Sequence, residues 1–180
     1  MHLYTERLLI RNFQADDWEA VLAYTSDSEV MKYIPEGVFC EQNVRAFIYE
    51  NSGGKAEKFP VILKQDHTLI GHIVFHKWSG NGTYEIGWVF NPKYYSQGYA
   101  SEAARAILQY GFEHLNAHRI IATCQPQNIA SYRVMEKIGM RKEGHFKQCI
   151  PAHFIKGNTE WWDEYFYAIL AEEWKRQNDQ

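Results

Sequence analysis

This chain lacks an excess of positive charge, and no run of lysine or arginine concentrates it. The 180 residues contain 19 Lys and Arg against 22 Asp and Glu, which gives a formal net charge of −3. Proteins that hold nucleic acid present a basic patch or stripe to its phosphates. The sequence therefore argues against direct nucleic acid binding.

Cysteine is also rare, and its three occurrences, Cys40, Cys124 and Cys149, form no C-x-x-C pair. This odd number without metal-ligand spacing predicts reduced thiols. The first residues lack the basic-then-apolar pattern of a signal peptide, and no apolar run approaches the ~20 residues that span a bilayer. We therefore expect a cytoplasmic protein with no membrane partner. We assign no chemistry to the thiols, because Cys124 lies in the apolar stretch RIIATC, which is typical of a buried strand.

Hydrophobic periodicity and turn residues predict one domain, residues 1–180, of class α+β, with a mostly antiparallel mixed sheet of about seven strands. The predicted strands are 8–13, 59–64, 69–78, Thr83–Phe90, Arg119–Cys124, 141–150 and Trp161–Leu170. Predicted helices start at Asp16, with Glu19 completing a capping box, and cover 28–33, 41–51, the stretch after Gly98 and 129–138.

The most informative segment joins the strand Thr83–Phe90 to a helix through a short turn that contains glycine. The helix has apolar residues at helical spacing: Ala104, Leu108, Gly111 and Leu115. The first turn of a helix carries unpaired N–H groups and a partial positive charge, and small residues let a phosphate come close. We expect a pyrophosphate on the residues of this turn: Gln97, Gly98, Tyr99, Ala100 and Ser101. Taken alone, the same pattern is more typical of a structural turn.

A second segment, NIASYRVMEKIGMRKEG at 128–144, predicts a helix closed by Gly139 and followed by a strand. The ordered series EIGWVF, QGYASEA and N-x-x-S-x-R-x-x-E-K-x-G-M-x-x-E-G resembles the GNAT N-acetyltransferase superfamily, and within it the RimJ/RimL-type, ribosomal-protein-alanine acetyltransferase-like branch. The likeness includes the opening TERLLIRNF and the closing WWDEYFYAILAEEW, so it covers nearly the whole chain. Two departures are Tyr95-Ser96 in the phosphate loop, where this branch often has another glycine at the second position, and Met135, where many members have a tyrosine acid.

The resemblance implies a GNAT fold that uses acetyl-CoA and no metal. In that fold the sheet splays between the fourth and fifth strands, and the pantetheine arm inserts there like an extra strand. Backbone groups of Trp88, Val89 and Phe90 would then bond the arm. We also expect Asn128 and Arg133 to contact the coenzyme, although Asn128 is typical of a helix cap and Arg133 of a solvated helix face.

Acetyl transfer needs a base, because an amine must lose a proton before it attacks the thioester. Glu85 lies on the strand where the resembled enzymes often place a glutamate base, and an ordinary surface carboxylate is an equally good interpretation. Asp163, in the W-x-D pattern, is the second candidate, and it can instead anchor the acceptor or hold a turn. Ser131 matches a serine of the RimL-like branch that can protonate the leaving thiolate. Gly87 indicates a bulge, close approach of the ligand or plain packing.

Two histidines, His72 and His76, share a predicted strand face, but spacing places no third ligand, so we predict no metal. Both stay candidates for contact with the acceptor. The predicted acceptor is a primary amine, either on a protein N-terminus such as the alanine of a ribosomal protein, or on a small polyamine, amino acid or antibiotic. A hypothesis from a different class is a coenzyme-A-binding sensor without turnover. The sequence leaves a homodimer open.

Overall fold

The structure is a computed structural model that describes residues 1–152 and 160–178. Within these ranges the strands are β1 (His2–Tyr4), β2 (Leu8–Arg11), β3 (Lys58–Leu63), β4 (Leu69–Lys77), β5 (Thr83–Phe90), β6 (Arg119–Cys124), β7 (Arg141–Pro151) and β8 (Trp161–Leu170). The helices are α1 (Trp18–Thr25), α2 (Glu41–Glu50), α3 (Tyr99–Glu113), α4 (Ile129–Lys137) and α5 (Ala171–Asn178). None of the helices described is both long and apolar enough to cross a membrane.

The strands hydrogen-bond in the order β1-β2-β3-β4-β5-β6-β8-β7. β2 pairs antiparallel with β1 and β3, β3 with β4, and β8 with β6 and β7, whereas β5 and β6 run parallel. This mixed sheet confirms the predicted α+β class. The sequence does not predict β1, whose three residues are too few to show an alternation, or the closing helix α5.

The contacts of the chain separate two compact units. The first consists of Met1–Phe75 and Gly87–Ala106, and the second of His76–Ile86 and Ile107–Gln180. Helices α1 and α2 belong to the first unit, whose core cluster consists of apolar side chains: Phe13, Val21, Tyr24, Met31, Phe39, Val44, Phe47, Ile48, Ile62, Leu69 and Val89. The alternating apolar residues of the strands and the helical stripes of α1 and α2 supply this cluster together.

The second unit has its own core, built from the end of α3, from β6 and β8, and from α4. Its fully or almost fully buried side chains include Ile107, Leu108, Ile120, Ile121, Met135, Ala168 and Ile169. Phe112 stacks on Trp174 of α5, with ring centroids 5.8 Å apart. Gly139 closes helix α4 just after its C-cap Ile138, as predicted, because this glycine takes the left-handed φ of 89° that closes a helix.

The first helix begins earlier than the sequence analysis predicts. A 3-10 turn, Ala15–Asp17, precedes α1, so helical backbone starts one residue before Asp16. The Asp17 carboxylate, rather than that of Glu19, accepts the backbone N–H of Gln14 at 2.8 Å. Gln14 and Asp17 have the same spacing as the predicted pair Asp16 and Glu19. The sequence therefore contains two overlapping capping boxes, and the predicted one is wrong.

Residues 28–33, predicted to be helical, form turns. The Asp27 carboxylate accepts the Glu29 backbone N–H at 2.8 Å, which gives the backbone a local alternative to a helix. Pro35 also disfavours helical backbone at Ile34. The segment therefore has a side-chain competitor at its start and a breaker at its end.

Helix α3 ends at Glu113, two residues before Leu115, the last position predicted for its buried face. Asn116 takes a left-handed φ of 51°, and the Ala117 N–H reaches the Gly111 carbonyl at 2.9 Å, as in a Schellman motif. Leu115 lies beyond this closure and is 37% exposed. The predicted face is correct only up to the end of the helix.

Gly71 in β4 lies directly against β5. A Cβ atom at this position would stand 2.5 Å from the Val89 carbonyl oxygen and 2.8 Å from the Phe90 Cα. One residue away, the Asn91 backbone N–H donates to the Ile70 carbonyl at 2.9 Å. The two strands therefore approach each other at a distance that only glycine permits.

Gly87, the strand glycine that the sequence analysis singled out, has more room. A Cβ atom there would lie 3.6 Å from the Cβ of Val74, which is an ordinary contact. Neither backbone strain nor crowding requires glycine at this position. Its predicted role in admitting a ligand stays a prediction.

We expect Gly71→Ala to lower the free energy of unfolding by about 1–3 kcal/mol, because the added methyl group collides with backbone that cannot turn away. The matched control is Gly87→Ala in the next strand, which should change it by less than about 1 kcal/mol. Urea unfolding at neutral pH, followed by circular dichroism, measures both. Equal stability of the two variants would contradict the close approach at Gly71.

Candidate active site

Two left-handed residues shape the turn that the sequence analysis assigns to pyrophosphate. Gly98 has a φ of 82°, which favours glycine, and Ser96 has a φ of 61°, which is uncommon for a residue with a Cβ. Ser96 thus takes a conformation typical of glycine at the position where the resembled branch often has that residue. Helix α3 begins at Tyr99, directly after Gly98. The first-turn N–H groups of a helix have no intrahelical partner, and this is the arrangement that attracts anions.

Trp88, Val89 and Phe90 form the end of β5. The side chains of Val89 and Phe90 are buried, whereas Trp88 is half-buried. The parallel pairs between β5 and β6 run from Thr83 to Glu85, while β5 itself continues to Phe90. Since the side chains of Val89 and Phe90 belong to the core, any bond from these residues to a coenzyme would come from their backbone groups.

Glu85 lies half-buried on β5, and its Oε2 is 3.7 Å from the Nε2 of His76 on β4. Burial raises the pKa of Glu85 above its usual range. His76 lowers this pKa, and the charge of Glu164 raises it. A carboxylate with a raised pKa is a better proton acceptor near neutral pH than an ordinary glutamate. The position therefore suits a general base.

Glu164 is a candidate site residue that the sequence analysis missed. It is half-buried on β8, and burial raises its pKa, while a hydrogen bond with Thr123 acts in the opposite direction. Strand alternation places Phe166 on the same face, and the ring of Phe166 lies 5.7 Å from that of Trp78. The period-two pattern of Trp162, Glu164 and Phe166 was the available signal.

Ser131 lies in the first turn of α4, half-buried. Its backbone N–H donates to the Asn128 side chain at 3.3 Å, so Asn128 caps the helix. The pKa of the Cys124 thiol is raised to about 12, first by burial and then by the charge of Glu164, while a hydrogen bond with the Ser131 side chain lowers it. Cys124 therefore stays protonated at neutral pH and is a neighbour of Ser131 rather than a nucleophile.

The rest of α4 separates into a buried and an exposed side. Met135, at the position where many superfamily members have a tyrosine acid, is only 1% exposed and belongs to the core. Arg133 is exposed. Tyr132 is half-buried, and its ring meets that of Tyr165 edge-on at 5.9 Å.

Asp163 has a different environment from Glu85. Its carboxylate accepts hydrogen bonds from the Nζ of Lys147 and the backbone N–H of Gln148, each at 2.9 Å, and lies 2.7 Å from the Nε2 of His145. These hydrogen bonds, that of Gln148 first, hold the pKa of Asp163 at about 2. Gln148 has a left-handed φ of 45°, and β7 shifts register there, so the carboxylate holds an irregular part of the strand.

The two histidines of β4 do not share one environment. His72 is buried, its Nδ1 lies 2.7 Å from the Tyr24 hydroxyl, and burial lowers its pKa to about 3. The expectation that His72 contacts the acceptor is therefore wrong, because its ring packs in the core against Phe13 and Phe47. His76 remains a candidate beside Glu85. In the part of the chain that is described, no three potential ligands are grouped as a metal would need.

Within the second unit, the structure brings Glu85, His76 and Glu164 into one electrostatic cluster, with Ser131 and Cys124 next to each other. Asp163 is on the opposite face of β8 from Glu164, as the alternation of a strand requires. The predicted coenzyme residues 88–90 and 97–101 belong to the first unit.

Comparison with known proteins gives consistent results. The acetyltransferase (GNAT) domain family matches residues 7–141. An uncharacterised N-acetyltransferase of Bacillus subtilis (strain 168), YnaD, is 68% identical over 174 residues, which is 97% of this chain and 99% of the relative.

Solved structures show the same likeness. A crystal structure of a GNAT-family acetyltransferase from Bacillus anthracis has a TM-score of 0.90 and 64% identity, and the match covers 96% of this chain and 99% of that one. A spermidine N-acetyltransferase from Vibrio cholerae, crystallised with CoA and spermine, shares the fold with a TM-score of 0.79 at 20% identity, over 94% of this chain and 99% of that one. The chain therefore belongs to the GNAT family and is an acetyl-CoA-dependent N-acetyltransferase.

Proposed function

We propose that this enzyme acetylates a primary amine and that Glu85 is its general base. The observation that carries the proposal is the half-buried Glu85 carboxylate, whose pKa is raised by burial and whose Oε2 lies 3.7 Å from His76. An ammonium group cannot attack a carbonyl carbon until it loses a proton. Glu85 is suited to accept that proton, because its raised pKa makes its carboxylate a stronger base than that of an ordinary glutamate.

In the proposed reaction, Glu85 takes one proton from the ammonium group, and the freed lone pair attacks the thioester carbonyl carbon. A backbone N–H of residues 88–90 stabilises the oxyanion, which can be worth ~3 kcal/mol. The C–S bond then breaks and the amide forms. The Ser131 hydroxyl donates a hydrogen bond to the departing coenzyme A thiolate, and the second nitrogen proton passes to the thiolate or to solvent.

For the coenzyme, we propose that the pyrophosphate binds the backbone amides of Gln97, Gly98, Tyr99, Ala100 and Ser101. The left-handed Gly98 and the helix start at Tyr99 support this assignment. Asn128 and Arg133 are the proposed further contacts. For Asn128 this is an additional role, since its side chain already caps α4.

The first candidate acceptor is a protein N-terminus that begins with alanine, and the likeness to the RimJ/RimL branch supports it. A small polyamine is the second candidate, because Glu164 supplies another half-buried carboxylate near Glu85. The neighbouring Phe166 and Trp78 rings could hold an alkylammonium chain through cation–π contact. The Vibrio cholerae spermidine enzyme supports this candidate at the level of the fold.

An acceptor screen tests the reaction class and separates these candidates. Release of free coenzyme A thiol from acetyl-CoA is measured with peptides that start with alanine, with spermidine and spermine, and with amino acids and aminoglycosides. We expect the alanine peptides to give the highest kcat/KM and the same peptides with a blocked amino group to give none. Preference for polyamines would transfer the assignment to the second candidate. Tight acetyl-CoA binding without thiol release from any acceptor would instead indicate a sensor.

We expect Glu85→Gln to keep coenzyme affinity and to lower turnover at neutral pH by about 100-fold or more. Raising the pH should partly rescue the variant, because more of the acceptor then arrives neutral. In the native enzyme, kcat/KM should fall as pH decreases through the raised pKa of Glu85, since the base form is lost there. Steady-state pH profiles of both proteins measure this difference.

The matched comparison is Asp163→Asn, which removes the other candidate carboxylate. With a pKa of about 2, Asp163 is a weak proton acceptor, and we expect this variant to lose stability at neutral pH while keeping the pH profile of the native enzyme. Near-normal turnover in Glu85→Gln together with loss of turnover in folded Asp163→Asn would move the base to Asp163.

We expect Ser131→Ala to lower kcat by about tenfold or more while acetyl-CoA affinity changes little, because a donor to the leaving sulfur acts mainly in the transition state. Ser131→Thr keeps the hydroxyl and should retain most of the turnover. Stopped-flow turnover and calorimetric affinity measure the two effects. Unchanged kcat in the alanine variant would show that the thiolate leaves without Ser131.

A further inference from the structure

An arginine from the beginning of the chain is fixed against the proposed phosphate turn. Arg7 lies between β1 and β2, and its Nη1 donates to the Gln97 carbonyl at 3.1 Å. The guanidinium carbon is 4.4 Å from the ring centroid of Tyr99. Its Nη2 lies 3.5 Å from where a Cβ atom of Gly98 would stand. Arg7 therefore contacts the turn before, at and after the left-handed glycine.

The same arginine is paired with a carboxylate in the first turn of α3. The Nε and the Nη2 of Arg7 each lie 2.6 Å from Oε2 of Glu102. The backbone N–H of Arg7 donates to Oε1 at 2.9 Å, and the Thr5 hydroxyl donates to the same oxygen at 2.6 Å. Four donors from residues 5 and 7 thus hold one carboxylate.

Glu102 carries a fixed negative charge. Burial alone would raise its pKa, but the hydrogen bonds from Thr5 and Arg7 lower it below the usual range. Its side chain is 18% exposed, so water screens the charge only in part. An acidic residue in the first turn stabilises a helix, but the same charge repels a phosphate that binds to that turn.

Arg7 resolves this conflict, because its positive charge lies against both Glu102 and the turn. We propose that Arg7 is a positioning residue for the coenzyme: it holds the turn at residues 97–99 and cancels the charge of Glu102, so that the first turn of α3 can accept the phosphates of acetyl-CoA. This inference rests on the proposed pyrophosphate site. Three of the five guanidinium N–H groups make the contacts with Glu102 and Gln97.

The test compares Arg7→Gln with the double variant Arg7→Gln/Glu102→Gln. The single variant leaves the Glu102 charge without its partner, so we expect the calorimetric Kd for acetyl-CoA to rise by about tenfold. In the double variant the charge is also gone, and the Kd should return to within about threefold of the native value. For turnover, each protein is supplied with acetyl-CoA or with S-acetylpantetheine, which has the arm and no phosphate.

The two donors separate a role at the phosphates from general damage to the fold. If Arg7 acts as proposed, Arg7→Gln lowers kcat/KM with acetyl-CoA and leaves kcat/KM with S-acetylpantetheine unchanged. An equal loss with both donors, together with a lower melting temperature, would show a purely structural role and overturn the inference. An unchanged Kd would overturn it as well. Failure of the double variant to recover affinity would show that Arg7 does not act by cancelling the charge of Glu102, and would overturn that part of the inference.

The matched control is Arg45→Gln. Arg45 pairs with Glu41 at 2.8 Å in the first turn of α2, and its guanidinium carbon lies 3.9 Å from the ring centroid of Trp18. This variant loses the same charge and the same kinds of contact at a different helix, and we expect native affinity for acetyl-CoA. If the native enzyme itself uses S-acetylpantetheine as well as acetyl-CoA, the proposed phosphate site fails, and the inference about Arg7 fails with it. That result is distinct from a phosphate-dependent native enzyme in which Arg7→Gln has no effect.

Discussion

The close approach of β4 and β5 at Gly71 is the constraint on which the proposed coenzyme site depends. The Val89 carbonyl oxygen lies only 2.5 Å from where the first side-chain atom of any other residue would stand. This contact fixes the end of β5, from which the chain reaches the phosphate turn at residues 97–101 through a 3-10 turn. The Asn91 side chain accepts the Lys93 N–H at 3.1 Å and starts the 3-10 turn Pro92–Tyr94. The chain therefore passes from a fixed strand to the start of α3 within a few residues.

Between strand and helix, the backbone carries strain at one position. Ser96 has a left-handed φ of 61°, a conformation that costs a residue with a Cβ of order 1 kcal/mol. Such strain persists only where the surroundings determine the backbone. Arg7 supplies part of that determination through its hydrogen bond to the Gln97 carbonyl, one residue further on. A turn held from both sides can present its N–H groups without first becoming ordered, which lowers the entropic cost of binding.

The sequence alone was sufficient for the parts of the site whose signal is local. Gly98 before an apolar helix predicts the turn, and Asn128 three residues before Ser131 predicts the cap; both are present. The pairing of Arg7 with Glu102 was not predictable, because 95 residues separate the two in the chain and no spacing rule connects them. Residue type alone also could not predict the roles of the histidines of β4. His72 is a buried core residue that contacts the Tyr24 hydroxyl, which the sequence does not reveal.

Neighbouring carboxylates on β8 show why the choice of base needed the structure. Asp163 and Glu164 are adjacent in sequence, yet strand alternation turns them to opposite faces. Donors from β7 hold the pKa of Asp163 near 2, whereas burial raises the pKa of Glu164, as it does that of Glu85. A carboxylate surrounded by donors holds its negative charge too well to accept a proton, while a poorly solvated one gains from accepting it. The carboxylates of Glu85 and Glu164 repel each other, which raises the pKa of Glu85. Together they also attract an ammonium group, so the same electrostatics favour the arrival of the amine substrate.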